Sequence, residues 1–148
     1  MKISDFLTAA DVAIDVAVSD KQKLLERLAR EAGRPVGVPP EHVLTELRKR
    51  EELGSTGMGG GVAIPHARFH QLDRAFAILV RLKKPIDFDS VDGKPVDTVC
   101  LLVLPDAPNS DQLGALACIA RKLRNPTVIA AVRRARSGEE IYKSLTAD

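Results

Sequence analysis

With 148 residues, the chain has the length of one domain able to bury a substantial core. Its hydrophobic share of 45% and charged share of 28% are those of an ordinary soluble globular protein. A net charge of +2 and an aromatic content of 3%, with no Trp and one Tyr, argue against nucleic acid as a partner, since neither a basic footprint nor a base-stacking platform is present.

No apolar run approaches the roughly 20 residues of a membrane helix, so no membrane insertion is expected. The amino-terminal MKISDFLTAAD lacks the apolar centre of a signal peptide, and a cytoplasmic location is expected. Cys100 and Cys118 lie among apolar residues and read as small core hydrophobes with no disulfide framework.

Residues 12–18 (VAIDVAV) alternate, placing Val12, Ile14, Val16 and Val18 on one face of a half-buried strand. Ser19 with Gln22 three residues on reads as a capping box. Leu24, Leu25, Leu28 and Ala32 follow at helical spacing until Gly33 ends the helix, and residues 34–39 read as a proline-broken loop. Pro40 opens a second helix with a solvent-facing His42 and an apolar stripe of Val43, Leu44 and Leu47. Its last turn sets Arg48, Lys49 and Arg50 at the negative pole of the helix dipole, and Gly54 stops it. A glycine-rich loop then leads to Val62-Ala63-Ile64, a short buried strand.

Residues 75–82 (AFAILVRL) read as a strand covered on both faces, broken by Lys83, Lys84 and Pro85. Ile86 and Phe88 alternate with Asp87 and Asp89, and Asp92-Gly93 suits a hairpin turn. Residues 96–104 (VDTVCLLVL) are another buried strand, ended by Pro105. Asn109 or Ser110 caps a helix with Leu113, Leu116, Ala117, Ala120 and Leu123 inward. Asn125-Pro126 breaks it, residues 127–136 make a short helix, and Ser137 with Glu140 opens a last helix that buries Ile141, Tyr142 and Leu145. The expected architecture is a single α/β domain over residues 1–148: a mixed β-sheet of about five strands flanked by helices on both faces.

The chemistry concentrates in residues 50–68. Gly54, Gly57, Gly59, Gly60 and Gly61 crowd one loop, with Ser55 and Thr56 between them. Successive exposed N–H groups form an anion-binding concavity. Pro65 pushes Ile64 toward an extended conformation, so His66 emerges at a strand end beside a loop suited to phosphate. That is a place for a histidine that carries a phosphoryl group. A P-loop is excluded because no lysine follows the glycines, and a dinucleotide fingerprint because a helix precedes the loop and Val62 holds the third glycine position. A plain helix-to-strand connector is the bland alternative, and spacing alone does not decide between the two. His66 and His70 are spaced like zinc ligands on a helix, but Pro65 opposes a helix and no third ligand stands near. No metal site is expected, His70 reads as a polar loop residue, and Asp87, Asp89 and Asp92 serve turns.

The stretch REELGSTGMGGGVAIPHAR, with KKPIDFDSVDGKPVD after it and the helix following Pro105, resembles enzyme IIA of the bacterial phosphotransferase system. The likeness is to the fructose/mannitol type, nearest its nitrogen-regulatory form, and it runs from Ile3 to the last helix. It implies a phosphocarrier with no cofactor. The acceptor falls on His66, at Nε2 by family precedent, with phosphate coming from the phosphohistidine of an HPr- or NPr-type protein. It implies either onward transfer to a IIB domain or a regulatory, nitrogen- or potassium-linked mark read by target proteins. The family arginine falls on Arg50, whose planar fork matches two phosphate oxygens. The hydroxyls of Ser55 and Thr56 and the amides of Gly57, Gly59, Gly60 and Gly61 are the implied phosphate donors. Arg68, where the family usually has lysine, reads as a surface charge near the site.

The family's second active-site histidine falls on Gln112, which can donate a hydrogen bond but cannot carry a positive charge or shuttle a proton. That departure favours an alternative, a regulatory interaction module that keeps the fold without efficient phosphorylation. A sugar-specific IIA feeding a fructose or mannitol transporter is a further alternative, which the free-standing domain disfavours. Gly60, where nitrogen-type relatives often have Asn, and Ala67, where many have Gly, also depart from the pattern.

Overall fold

The computed structural model describes residues 1–107 and 112–147, with residues 112 and 113 described by backbone alone. Two 3-10 turns (Ile3–Asp5 and Ala9–Asp11) lead into β1 (Val12–Val16), α1 (Lys21–Val36) and α2 (Pro40–Glu52). Three short strands follow, β2 (Gly57–Gly59), β3 (Val62–Ala63) and β4 (His66–Phe69), then two long ones, β5 (Phe76–Ile86) and β6 (Val96–Pro105). The chain closes with α3 (Gln112–Arg124), α4 (Pro126–Arg134) and α5 (Gly138–Thr146).

The strands form one mixed sheet in the order β1-β5-β6-β3-β2, with β4 also paired to β6. β5 and β6 are antiparallel, whereas β1 runs parallel to β5, and β3 and β4 run parallel to β6. Period-2 alternation sends Val99, Leu101 and Val103 of β6 toward Leu24, Leu28, Val43 and Leu47 of α1 and α2. Cys100, Leu102 and Leu104 face the other way, toward Ile119, Val132 and Ile141 of α3, α4 and α5. Both faces are thus covered by helices, which is why β6 reads as an unbroken apolar run. Burial pushes the Cys100 thiol up to about 12, and both cysteines are free. Among the described residues, no helix is long and apolar enough to cross a membrane.

Several elements differ from the sequence expectations for local physical reasons. Asp15 takes φ 55°, and the pairing Ala13↔Val80, Val16↔Leu82 leaves one extra residue on β1. This bulge turns Val16 to the α1–α2 face while Val12 and Ile14 stay on the opposite one, so the four residues do not share a face. Asp20, not Ser19, caps α1, its carboxylate accepting the Lys23 N–H at 2.8 Å. The helix passes through Gly33 and ends at Val36, with Gly37 left-handed at φ 71° as its cap. Gly33 instead lets the chain fold back closely, since a Cβ there would lie 2.7 Å from the Val38 carbonyl.

β5 continues through Lys83, Lys84 and Pro85 to Ile86, the surplus residues being absorbed in a shift of register between Arg81 and Ile86. Asp92-Gly93 sits in the loop that joins β5 to β6, with the Gly93 N–H donating to the Ser90 carbonyl at 2.9 Å. His42 is half-buried rather than solvent-facing, edge-on to Phe69 with ring centroids 5.4 Å apart. The inward stripe of α3 is Ala115, Ile119 and Leu123, with Leu116 and Ala120 half-buried and Ala117 exposed. The expected caps Asn109 and Ser110 and the Leu113 side chain lie outside the described residues. Asn125 caps α4 through the Thr127 and Val128 amides, and Ser137 caps α5 through the Glu140 amide.

The reassigned cap is open to measurement. Asp20→Ala should destabilise the protein by about 1 kcal/mol in denaturant melts, the usual worth of a helix cap. Ser19→Ala should change stability by no more than about 0.5 kcal/mol.

Candidate functional site

β3 and β4 are one strand with a gap. The partners Val62↔Thr98, Ala63↔Val99, His66↔Leu102 and Ala67↔Val103 keep a single register along β6. Across the gap at Ile64-Pro65, the Leu102 N–H donates to the Pro65 carbonyl at 3.0 Å. Alternation survives the gap: Ala63, Ala67 and Phe69 join the α1–α2 core, while Val62 and Ile64 join the core under α3, α4 and α5. His66 shares the parity of Val62 and Ile64 and is half-buried.

The ring is oriented by its two nitrogens. Nδ1 lies 2.9 Å from the Ile64 carbonyl, an atom that can only accept, so Nδ1 carries the proton and Nε2 keeps its lone pair. Arg50, in the last turn of α2, directs its Nε at His66 Nε2 across 3.4 Å, and its Nη1 donates to the Gly54 carbonyl at 2.8 Å. Burial is the main reason that the imidazole is held below its ordinary value, and the Ile64 hydrogen bond opposes it. The Arg50 and Arg68 charges lower it further, while the Glu51 carboxylate raises it. The unfolded chain therefore binds this proton more readily than the folded one. Stability owed to the neutral ring is intact above about pH 6.5 and is lost as pH falls from there through the folded-state value.

Two clefts meet at His66. The larger, of about 800 Å³, is lined by Glu46, Lys49, Arg50 and Glu52 of α2 and also by Arg68 and Asp106. The smaller, of about 380 Å³, has Ser55, Thr56 and Gly57 among its lining and also Leu116, Ala120 and Arg124 of α3. Leu53 and Val91, 84% and 79% exposed, are large apolar residues beside these clefts. The Leu116, Ala120, Arg124 series was legible as a helical i, i+4 spacing, but nothing local says that it faces His66.

The glycine loop is not the open cradle of amides that the sequence suggests. The Thr56 N–H donates to Glu51 Oε1 at 3.0 Å, the Gly57 N–H to Ser55 Oγ at 3.0 Å, and the Gly60 N–H to Asp92 Oδ2 at 3.0 Å. The hydroxyls also point inward, Ser55 to the Phe88 carbonyl at 2.6 Å and Thr56 to Glu51 Oε2. Gly59, Gly60 and Gly61 have φ of 93°, 67° and 81°, so glycine is required there by the turn itself. These three line neither cleft at His66; Arg133 of α4 holds the turn through the Gly60 carbonyl and pairs with Asp97 at 3.1 Å. The Gly60 and Lys94 amides hold the Asp92 carboxyl below its usual range. His70 is exposed one residue beyond β4, and Gln112 opens α3 with its side chain outside the described residues.

Residues 5–147 match the family model described as phosphoenolpyruvate-dependent sugar phosphotransferase system, EIIA 2. The chain is 39% identical over 145 residues to the nitrogen regulatory protein of Bradyrhizobium diazoefficiens, a match that covers 98% of this chain and 95% of that protein. It superposes on the crystal structure of nitrogen regulatory protein IIA-Ntr from Neisseria meningitidis with a TM-score of 0.92 at 32% identity, over 97% of this chain and 99% of that one. The fold also matches mannitol enzyme IIA of Escherichia coli, solved in complex with phosphorylated enzyme IIB, at TM-score 0.80 and 16% identity over 96% of this chain and 98% of that one. Sequence span and superposition agree: the chain belongs to the type 2 enzyme IIA family of the phosphoenolpyruvate-dependent sugar phosphotransferase system and is a homologue of its nitrogen regulatory proteins.

Proposed function

We propose that the protein is a phosphoryl carrier with a regulatory output, in which Nε2 of His66 accepts a phosphoryl group from the phosphohistidine of an HPr-type protein. The observation that carries this reading is a half-buried ring with its Nδ1 proton committed to the Ile64 carbonyl and its Nε2 lone pair turned to the cleft, where it accepts a long hydrogen bond of 3.4 Å from the Arg50 guanidinium. Nε2 forms the new N–P bond while the donor's N–P bond breaks and the donor nitrogen keeps the electron pair. The Nδ1 proton stays on His66. Where the donor ring also holds a proton on its other nitrogen, the exchange is balanced and needs no general base.

Arg50 stabilises charge on the equatorial oxygens during the in-line displacement, its fork suited to two of them. Ser55 and Thr56 shape the wall of the acceptor cleft, and their hydroxyl oxygens are engaged with the protein. The glycine amides are assigned to holding the loop rather than the phosphate. The Gln112 departure bears on onward transfer more than on acceptance, because acceptance draws on His66 and Arg50. The regulatory output is supported by the similar proteins, which are nitrogen regulatory proteins; added phosphate charge at the His66 face would change which targets dock there.

Mixing the protein with a phosphorylated HPr-type donor should yield acid-labile phosphate on the wild type and none on His66→Ala. Arg50→Ala should slow acceptance by about 10²–10³-fold, the range for losing a preorganised charge-stabilising donor. A wild type that remains unlabelled would leave the interaction-module reading in its place. In the free protein, NMR should place the His66 titration midpoint below about 6.5. Arg50→Gln, which removes a lowering charge, should move that midpoint up; an unchanged midpoint would mean that Arg50 does not act on the ring.

A further inference from the structure

Glu51 follows Arg50 on α2, yet its side chain is only 6% exposed and makes no hydrogen bond to the histidine ring. A buried carboxylate persists when it is paired and its lone pairs are used. Lys21, at the start of α1, meets it at 3.0 Å. Thr56 donates to it twice, N–H to Oε1 at 3.0 Å and hydroxyl to Oε2. Lys21 is fixed in turn: its ammonium lies 4.5 Å from the Phe88 ring centroid and donates to the Phe88 carbonyl at 3.4 Å. That carbonyl also accepts the Ser55 hydroxyl.

The bonds do not stop at Thr56. The Ile64 N–H donates to the Thr56 carbonyl at 3.1 Å, and the Ile64 carbonyl accepts the Nδ1–H of His66 at 2.9 Å. An unbroken file of contacts therefore runs from Lys21 through Glu51, Thr56 and Ile64 to the ring.

We propose that Glu51 is a positioning residue for His66: acting through Thr56 and Ile64, it fixes the tautomer and the aim of the ring so that Nε2 faces the cleft. The inference rests on the carrier reading for its kinetic consequence, but its structural content stands on this file of bonds. Tilting Thr56 turns the peptide that receives the Ile64 N–H and with it the carbonyl that holds Nδ1. Links of this kind strengthen one another along a hydrogen-bonded chain. Arg50 and Arg68 act on the ring from α2 and β4, and Arg124 lines the cleft from α3, so none of these cations belongs to the file.

Glu51→Gln is nearly isosteric; it keeps one acceptor for Thr56 and removes the charge. We expect it to melt cooperatively, to lower the His66 midpoint further, and to show both imidazole tautomers in ring ¹⁵N shifts where wild type shows the Nδ1–H form. Phosphoryl acceptance from a phosphorylated HPr-type donor should fall roughly 10- to 100-fold, the scale of a small misplacement of a reacting group. Thr56→Val, which removes only the hydroxyl, should mix the tautomers and slow acceptance, and Thr56→Ser should restore both. A folded Glu51→Gln protein with wild-type tautomer and rate would overturn the proposal whatever its midpoint, because loss of the carboxylate charge lowers the midpoint by itself. If that variant does not fold, Thr56→Val with a pure Nδ1–H ring and the wild-type rate would overturn it instead. A wild type that accepts no phosphate would defeat the carrier reading alone, because the tautomer comparisons at Glu51 and Thr56 still decide the positioning role.

Discussion

The pairing of residues 62–69 along β6 in one register is the constraint on which the site depends. Proline at 65 interrupts the ladder because it has no N–H, but the interruption adds and removes nothing, and the pairs on either side stay in step. Side-chain parity is thereby carried across the gap, leaving the imidazole on the side of α3. A slip of one residue would drive the ring into the apolar layer beneath α1 and α2 and bring Ala67 out in its stead. The long strands β5 and β6, buried on both faces, are what make such a slip costly.

Around the ring, charge is balanced without being cancelled. Arg50 has no ion pair among the described residues; it is held by a carbonyl just past the end of its own helix. Its Nε donates to His66 Nε2 at 3.4 Å, and its charge adds to burial in holding the imidazole below its ordinary value. Glu51, one residue on, has the opposite arrangement. Its charge is met by Lys21 and fully used inside the protein. Adjacent positions on a helix point about 100° apart, which lets one residue serve the cleft and the next serve the scaffold.

Much of this was written in the sequence. The glycine run, the Ile64-Pro65-His66 step, the α/β alternation and the basic end of α2 are local signals, and each appears where it was expected. What the sequence hid was set by partners distant along the chain. The Gly60 amide has an acceptor because Asp92 folds back onto it, so a run that reads as a bare anion cradle is in fact a clamped turn. Asp20 outcompetes Ser19 because its carboxylate meets the Lys23 amide, a matter of one residue in where α1 starts. The bulge at Asp15 reverses Val16 without leaving a trace in the alternating pattern. Glu51 looked like one more charge in a helix rich in them, and only the approach of Lys21 and Thr56 gives it a separate task.

Cys100 gives the sheet a chemical clock. Its sulfur is enclosed at the centre of β6, and the thiol stays protonated far above neutral pH, so alkylating and oxidising reagents find neither access nor a thiolate. Modification must wait until the sheet opens, whereas Cys118 on α3 is partly accessible in the closed protein. The rate at which a thiol reagent captures Cys100 thus reports the opening of the layer that carries His66, under native conditions and without any added probe.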